Sequence, residues 1–293
     1  MVQPSRLRTL ALTGLTLIAF AANSVLCRLA LGPRSIDPAS FTSVRIGAGA
    51  AMLALLLLVH GRGRGRPRAG SWVSALALFG YALAFSLAYV SLEAGTGALI
   101  LFGSVQLTMI GWGWLAGERP ARLEWAGLAL AVGGLVWLFL PGVTAPSPRG
   151  AGAMVLAGVA WGVYSLRGRR ASDPVATTRG NFSRALPLAL VASAVAWRGV
   201  HLEPAGVALA AASGALASGL GYVLWYAALA GLTSTSAAIV QLAVPVLAAL
   251  GGAALLDERV TLRLLLAGAA ILGGVGLALG ARFAAAATGR RPR

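Results

Sequence analysis

In a chain dominated by alanine, leucine and glycine, the residues able to do chemistry are few, and most lie inside long apolar runs. Tyr81, Phe85 and Tyr89 recur at i, i+4 and i+8, one stripe of a helix. Ser104, Gln106 and Thr108 share the next run. Trp161, Tyr164 and Ser165 fall in GVAWGVYSLRGRR (158–170), followed by Tyr222, Trp225 and Tyr226, and by Gln241 just ahead of Pro245. The first run contributes Asn23 and Ser24. These groups are amides, hydroxyls and rings, suited to holding a ligand by dipoles and apolar contact. Gln106 and Gln241 carry the strongest signal, because an amide facing hydrocarbon leaves its donors and acceptors unsatisfied. Pro245, read as lying inside a helix, frees a carbonyl one turn earlier, beside Gln241, that would suit a substrate ammonium. The competing roles are structural: aromatic side chains also form interfacial belts, and Ser and Thr also join helices.

The charged groups lie elsewhere. All eight acids, Asp37, Glu93, Glu118, Glu124, Asp173, Glu203, Asp257 and Glu258, fall at or beyond the ends of the apolar runs, as do His60 and His201. No carboxylate or imidazole is expected mid-membrane to carry a proton, and no catalytic pair or metal cluster is legible. Cys27 is the single cysteine. The chain has no lysine, so it has no phosphate-binding loop to drive transport with ATP. The reading is a non-enzyme with no cofactor and no metal. Arg45 lies about 10 Å into the second run at 1.5 Å per residue. It is positioned either to bind a substrate carboxylate or to snorkel and cap carbonyls, and the second role is favoured. Arg28, nearer a run's end, is expected to snorkel.

The elements that must position these residues follow from composition. The 293 residues are 58% hydrophobic and 11% charged, with a mean hydropathy of +0.81, outside the range of soluble domains. Lipid must be the solvent. The predicted spans are 7–31, 38–60, 70–92, 95–117, 123–141, 150–167, 181–199, 204–230, 233–256 and 262–281, each near the ~20 residues needed to cross hydrocarbon. The longest loop, around 168–180, carries no domain. Arg6, Arg8 and Ala19-Phe20-Ala21 imitate a signal peptide, but the apolar run continues to Leu31, which predicts an uncleaved helix. The net charge of +16 and GRGRGRPRAG (61–70) raise nucleic acid, which the scattering of arginines between spans argues against. With the N-terminus inside, seventeen arginines are cytoplasmic and five external, so both termini are expected in the cytoplasm.

The chain also repeats itself. WLAGERPARLEWAGLALAVGGL (114–135) corresponds to ALLDERVTLRLLLAGAAILGGV (254–275), and YVSL (89–92) to YAAL (226–229). Five spans in each half oblige the second to enter the membrane upside down. Inverted repeats with a site near the midplane are a transporter signature. The expected fold is an all-α polytopic membrane protein of ten transmembrane helices in two inverted five-helix repeats. The first occupies 1–145 and the second 146–284, followed by a basic cytoplasmic tail at 285–293.

The paired GER/DER loops, Asn23-Ser24 and FTSVRIGAGA (41–50) resemble the EamA type of the drug/metabolite transporter superfamily. GVAWGVYSLRGRRASDPVATTRGNFSRALP (158–187) resembles the aromatic amino acid exporters of that superfamily, the YddG group. The resemblance implies a bacterial inner-membrane carrier that moves neutral amino acids, aromatic ones included, outward by alternating access. The absence of a mid-membrane acid points to uniport or exchange. The expected partners are a small-molecule substrate and the lipid bilayer, with the carrier a monomer or homodimer. The expected substrate-binding residues are Asn23, Tyr81, Phe85, Tyr89, Ser104, Gln106, Trp161, Tyr164, Ser165, Tyr222, Tyr226 and Gln241. The alternatives are efflux of drugs or amphipathic metabolites on the same scaffold, and a non-transporting membrane protein.

Overall fold

A computed structural model of the chain describes residues 6–59, 69–115, 122–140, 145–168, 173–229 and 240–287. Its elements are helical: α1 (Arg6–Leu31), α2 (Pro38–Val59), α3 (Trp72–Tyr89), α4 (Ala94–Leu115), α5 (Arg122–Phe139), α6 (Pro148–Gly168) and α7 (Pro174–Val195), then a 3-10 turn (Trp197–Gly199). Next, α8 (Pro204–Ala212) continues through a π-helical stretch (Ser213–Leu220) into α9 (Gly221–Leu229), and α10 (Val244–Leu256) and α11 (Leu262–Ala287) complete the bundle. Among the described residues, five helices are long and apolar enough to cross a membrane: Thr9–Leu31, Pro38–Val59, Trp72–Tyr89, Ala94–Gly113 and Pro204–Trp225. Shorter apolar helices cover Trp125–Leu138, Val244–Leu256 and Leu262–Ala278.

Polarity runs inside out, as lipid solvation requires. Leu10, Leu58, Leu156, Val191 and Leu250 are each at least 60% exposed, whereas Asn23, Arg45, Gln106, Asn181 and Ser213 are buried. Such an outer face in water would be a large apolar patch; against acyl chains it is ordinary.

Packing joins the two halves of the chain. α5 lies along α11 and α2 along α7; α3 packs on α6, while α1 packs on α8, the π-stretch and α9. Close approach is made by small residues, since lipid supplies no hydrophobic drive between helices. Gly127 and Gly274 face each other across α5 and α11, where a Cβ on either would meet the other's carbonyl. Gly214 presses the π-stretch onto the backbone of α2, and a Cβ there would run into the Arg45 carbonyl.

Several boundaries depart from the predicted spans. The expected 168–180 loop is partly helix, because α7 starts at Pro174, with Asp173 Oδ1 accepting the Ala176 amide at 3.1 Å as its N-cap. The pattern misled because Thr177 and Thr178 read as polar loop, although Thr178 is buried. The last helix reaches Ala287, past the predicted end at 281 and into the segment assigned to the tail. Pro245 does not lie in a helix interior. A turn at Leu242–Ala243 breaks the chain, and Pro245 sits in the first turn of α10, where a missing N–H costs nothing. The continuous helix expected around Gln241 and Pro245 is therefore interrupted between them. Predicted residues 230–239, including the start of that span, lie outside the described residues, as do Glu118 and Arg119 of the first GER loop.

A methyl group added to a helical glycine gains about 1 kcal/mol of helix propensity in open space, while overpacking costs about 1–3 kcal/mol. Gly214→Ala is accordingly expected to lower the melting temperature in detergent, while Gly152→Ala, whose Cβ meets nothing within 4 Å, leaves it unchanged or raised. Equal behaviour of the two variants would refute the close approach of the π-stretch to α2.

Candidate functional site

The stripe on α3 points inward. Tyr81 and Phe85 pack at 5.3 Å between ring centroids, and Phe85 and Tyr89 at 4.7 Å edge to face. Trp161 of α6 lies 4.8 Å from Tyr81 and 5.1 Å from Tyr222 of α9, and stacks on Tyr164 at 5.4 Å. Phe20 of α1 meets Tyr222 edge-on at 6.2 Å. Together with Asn23, Ser24, Leu101, Phe102, Ala217 and Ser218, the residues Phe20, Tyr81, Phe85, Trp161 and Tyr222 line a narrow cavity of about 20 Å³. The lining is contributed by α1, α3 and α4 from one half of the chain and α6, the π-stretch and α9 from the other.

A hydrogen-bond network crosses this wall. Asn23 Nδ2 donates to Tyr81 Oη at 3.3 Å, and Ser213 Oγ donates to Asn23 Oδ1 at 2.7 Å. Arg45 joins it from α2: Nη2 donates to Tyr81 Oη at 3.0 Å and Nε to Ser218 Oγ at 3.2 Å. The guanidinium lies over the Tyr81 and Phe85 rings, its carbon 5.1 Å and 5.0 Å from their centroids. Arg45 is 2% exposed. It does not snorkel to an interface, as the sequence favoured, but is bonded to two residues of the cavity wall, Tyr81 and Ser218. The turn of α2 that carries it is held between α7 and the π-stretch, so the side chain has no route outward.

Of the expected site residues, the structure brings Asn23, Tyr81, Phe85, Trp161 and Tyr222 to the cavity. Tyr164 backs Trp161. Tyr89 ends the stripe at the last residue of α3 and donates to the Ala94 carbonyl at 3.3 Å, tying α3 to the start of α4. Ser104 is buried against α6, where a Cβ on Gly158 would meet it, so it lies at a helix contact and not on the cavity. Gln106 is buried farther along α4, and Ser165 and Gln241 are half-buried; these three are not in the lining. The side chain of Tyr226 lies outside the described residues. Sequence reading missed Phe20, Ser213 and Ser218, and discounted Arg45. Phe20 has a signal in its i, i+3, i+4 relation to Asn23 and Ser24; Ser218 has only the small-residue run GALASGLGY (214–222), and Ser213 only its place just before that run.

A second polar cluster closes the end of the bundle where α1 finishes. Arg28 Nε pairs with Glu258 Oε1 at 3.1 Å, and its Nη1 donates to the carbonyls of Tyr89 and Val90 at 3.1 and 3.2 Å. Glu258 Oε2 accepts the Ala94 amide at 2.7 Å, a carboxylate at a helix N-terminus. The left-handed backbone of Asp257 (φ 53°) at the end of α10 turns Glu258 back to make this reach. Glu93 lies in the same cluster. Its partial burial and the charge of Glu258 raise its carboxyl above the usual range, with Arg28 opposing. At the opposite end, Arg167 Nε donates to Ser74 Oγ at 3.1 Å and Arg184 Nη1 to the Ala69 carbonyl at 2.8 Å.

The EamA-like transporter family matches the chain twice, over residues 8–140 and 148–280. An uncharacterized protein of Pseudomonas aeruginosa is 52% identical over 280 residues, covering 96% of this chain and 97% of its own. An uncharacterized transporter of Archaeoglobus fulgidus is 28% identical over 200 residues, covering 64% of this chain and 68% of its own. A solved crystal structure aligns with a TM-score of 0.60 at 24% identity over 92% of this chain and 98% of its own, a likeness of fold.

The raised carboxyl of Glu93 has a measurable consequence. An acid whose pKa is higher folded than unfolded costs stability above its folded pKa and nothing below the unfolded value of about 4.3. Glu93→Gln is expected to melt higher than the parent in detergent at about pH 7–8, with the gain fading towards about pH 4. A difference that does not change with pH would show that Glu93 acts otherwise.

Proposed function

Because the chain belongs to the EamA-like transporter family, we propose that it is a ten-span carrier of the bacterial inner membrane that exports neutral amino acids, aromatic ones included, by alternating access. The observation that carries this reading is the aromatic cavity lined by both halves of the chain. A site shared between two halves opens to one side or the other as they rock, with little rearrangement inside either. The pairing of helices supports the inverted repeat. Exchanging first-half helices for their second-half counterparts maps the α3–α6 contact onto the packing of α1 against α8, the π-stretch and α9, and leaves α2–α7 and α5–α11 as self-paired contacts. The arginine bias supports cytoplasmic termini.

The wall favours an apolar or aromatic body in the substrate, since rings on five helices face the space. Broad selectivity follows, because one methylene in such a pocket discriminates by only about 1–3 kcal/mol. No acid or histidine is among the lining residues, so flux runs down the substrate's own gradient as uniport or exchange. The same wall also favours amphipathic metabolites or drugs as a second reading.

Counterflow in liposomes with labelled phenylalanine, methionine and threonine is expected to show uptake that a collapsed pH gradient does not abolish. Trp161→Ala removes ring contacts worth about 0.5–1.5 kcal/mol each and is expected to slow all three roughly tenfold with normal insertion. If the unaltered protein carries none of the three, the amino acid reading falls and the amphipathic-metabolite reading replaces it. In a Cys27→Ala background, a cysteine at position 118 is expected to label only from the cytoplasm and one at 257 only from outside. Labelling of both from one side would end the inverted topology.

A further inference from the structure

Three hydrogen bonds meet at the Tyr81–Arg45–Ser218 corner of the cavity, and their arithmetic leaves donors over. A hydroxyl has two acceptor lone pairs and one proton. Tyr81 Oη already accepts twice, from Arg45 Nη2 at 3.0 Å and Asn23 Nδ2 at 3.3 Å, so its remaining capacity is to donate. Ser218 Oγ accepts from Arg45 Nε at 3.2 Å and likewise keeps a proton to give. Both residues line the cavity. Behind them, Arg45 Nη1 is buried with no hydrogen-bond partner among the described residues. The hydrogen-bond and ring partners of the guanidinium are neutral: two hydroxyls and the faces of Tyr81 and Phe85. Among the described residues no carboxylate pairs with Arg45, and the cavity lining contains no acid.

An uncompensated cation buried in a membrane bundle is costly, and an intramembrane arginine marks a site for the anion that completes it. Resting on the carrier reading above, we infer that Tyr81 Oη–H and Ser218 Oγ–H, backed by the Arg45 guanidinium, form a carboxylate-binding subsite, and that the substrate's carboxylate is required while its amino group is dispensable. Arg45 is a positioning residue here. Its charge polarises two hydroxyls already locked by its own hydrogen bonds, and chains of this kind strengthen one another in a low-dielectric site. Asn23, held in turn by Ser213, fixes the Tyr81 hydroxyl from the other side. The surrounding rings take an apolar body of little defined shape. The chemistry selected is an organic monocarboxylate with an aromatic or aliphatic body, whether or not it also carries an ammonium.

The test uses the full chain in liposomes with three probes of one skeleton: 3-phenylpropanoate, phenylalanine and phenethylamine. Counterflow and ligand-induced thermal shift are both read. The unaltered protein is expected to carry and be stabilised by the two carboxylates at least tenfold better than by the amine. Flux of 3-phenylpropanoate, a monoanion, should follow an imposed potential, with accumulation near fifty-fold per 100 mV (about 2.3 kcal/mol), while phenylalanine flux does not. Arg45→Gln is expected to erase the preference for carboxylates, and Arg45→Lys to restore part of it. Equal handling of phenethylamine, or a requirement for the ammonium, overturns the inference and leaves the carrier reading intact. An undiminished carboxylate preference in Arg45→Gln shows Arg45 to be structural only and also overturns it. If Arg45→Gln fails to insert, the selectivity of the unaltered protein and of Arg45→Lys decides. Carboxylate-specific stabilisation without flux of any probe upholds the subsite and removes the carrier reading. Neither binding nor flux removes both.

Discussion

A guanidinium cannot be closed inside a bundle of apolar helices unless the surrounding architecture is built to hold it, and much of this structure is arranged around Arg45. Its hydrogen bonds cross from α2 to α3 through Tyr81 and to the π-stretch through Ser218. Its planar face rests on the Tyr81 and Phe85 rings, which fixes two consecutive members of the α3 stripe. The bond to Ser218 depends on Gly214, which lets the π-stretch lie against the Arg45 backbone. The charge, the stripe and the glycine are therefore one constraint. Changing any of them moves the wall against which a ligand must fit.

The π-stretch belongs to the same arrangement. Ser213 and Ser218 are five residues apart, well off a common face in an α-helix of 3.6 residues per turn. Bonding from i to i+5 brings such positions closer together, and it is a geometry found mainly at functional sites. Here it allows Ser213 to reach Asn23 while Ser218 reaches Arg45. One segment of the second half thus engages both polar ends of a network that belongs otherwise to the first half. The cavity sits where the halves share hydrogen bonds, and motion of one half against the other must act on that network first.

How legible this was in the sequence depends on what each signal encodes. The helices were legible because lipid demands long apolar runs and backbone groups satisfied within each helix. The α3 stripe was legible because 3.6-residue periodicity alone puts Tyr81 and Phe85 together. Arg45 was not, since depth in a span leaves two outcomes, snorkelling or burial, and only the packing of α2 against α7 and the π-stretch selects between them. GALASGLGY announced close approach but not π geometry, because a change of hydrogen-bond register is decided by neighbours and not by propensity. Pro245 misled for a related reason: proline is as compatible with the first turn of a new helix as with a kink in an old one. Gln106 and Gln241 were singled out because an amide needs partners, yet helix contacts supply partners as well as ligands do.

The cluster around Arg28 shows why polarity at the ends of the bundle and polarity in its middle must be read differently. Arg28 is satisfied: a carboxylate at 3.1 Å and two carbonyls absorb its donors, and Glu258 in turn caps α4. Four helix ends are joined there, so that network resists separation of α1, α3, α4 and α10. Arg45, by contrast, has neutral partners and an unused donor. The first arrangement is complete without a ligand, and its natural work is to hold one end of the bundle shut. On the inference drawn above, the second is answered by an anionic group on the substrate, and a carrier needs both: a closure strong enough to seal, and a site whose unmet charge makes binding the event that repays opening it.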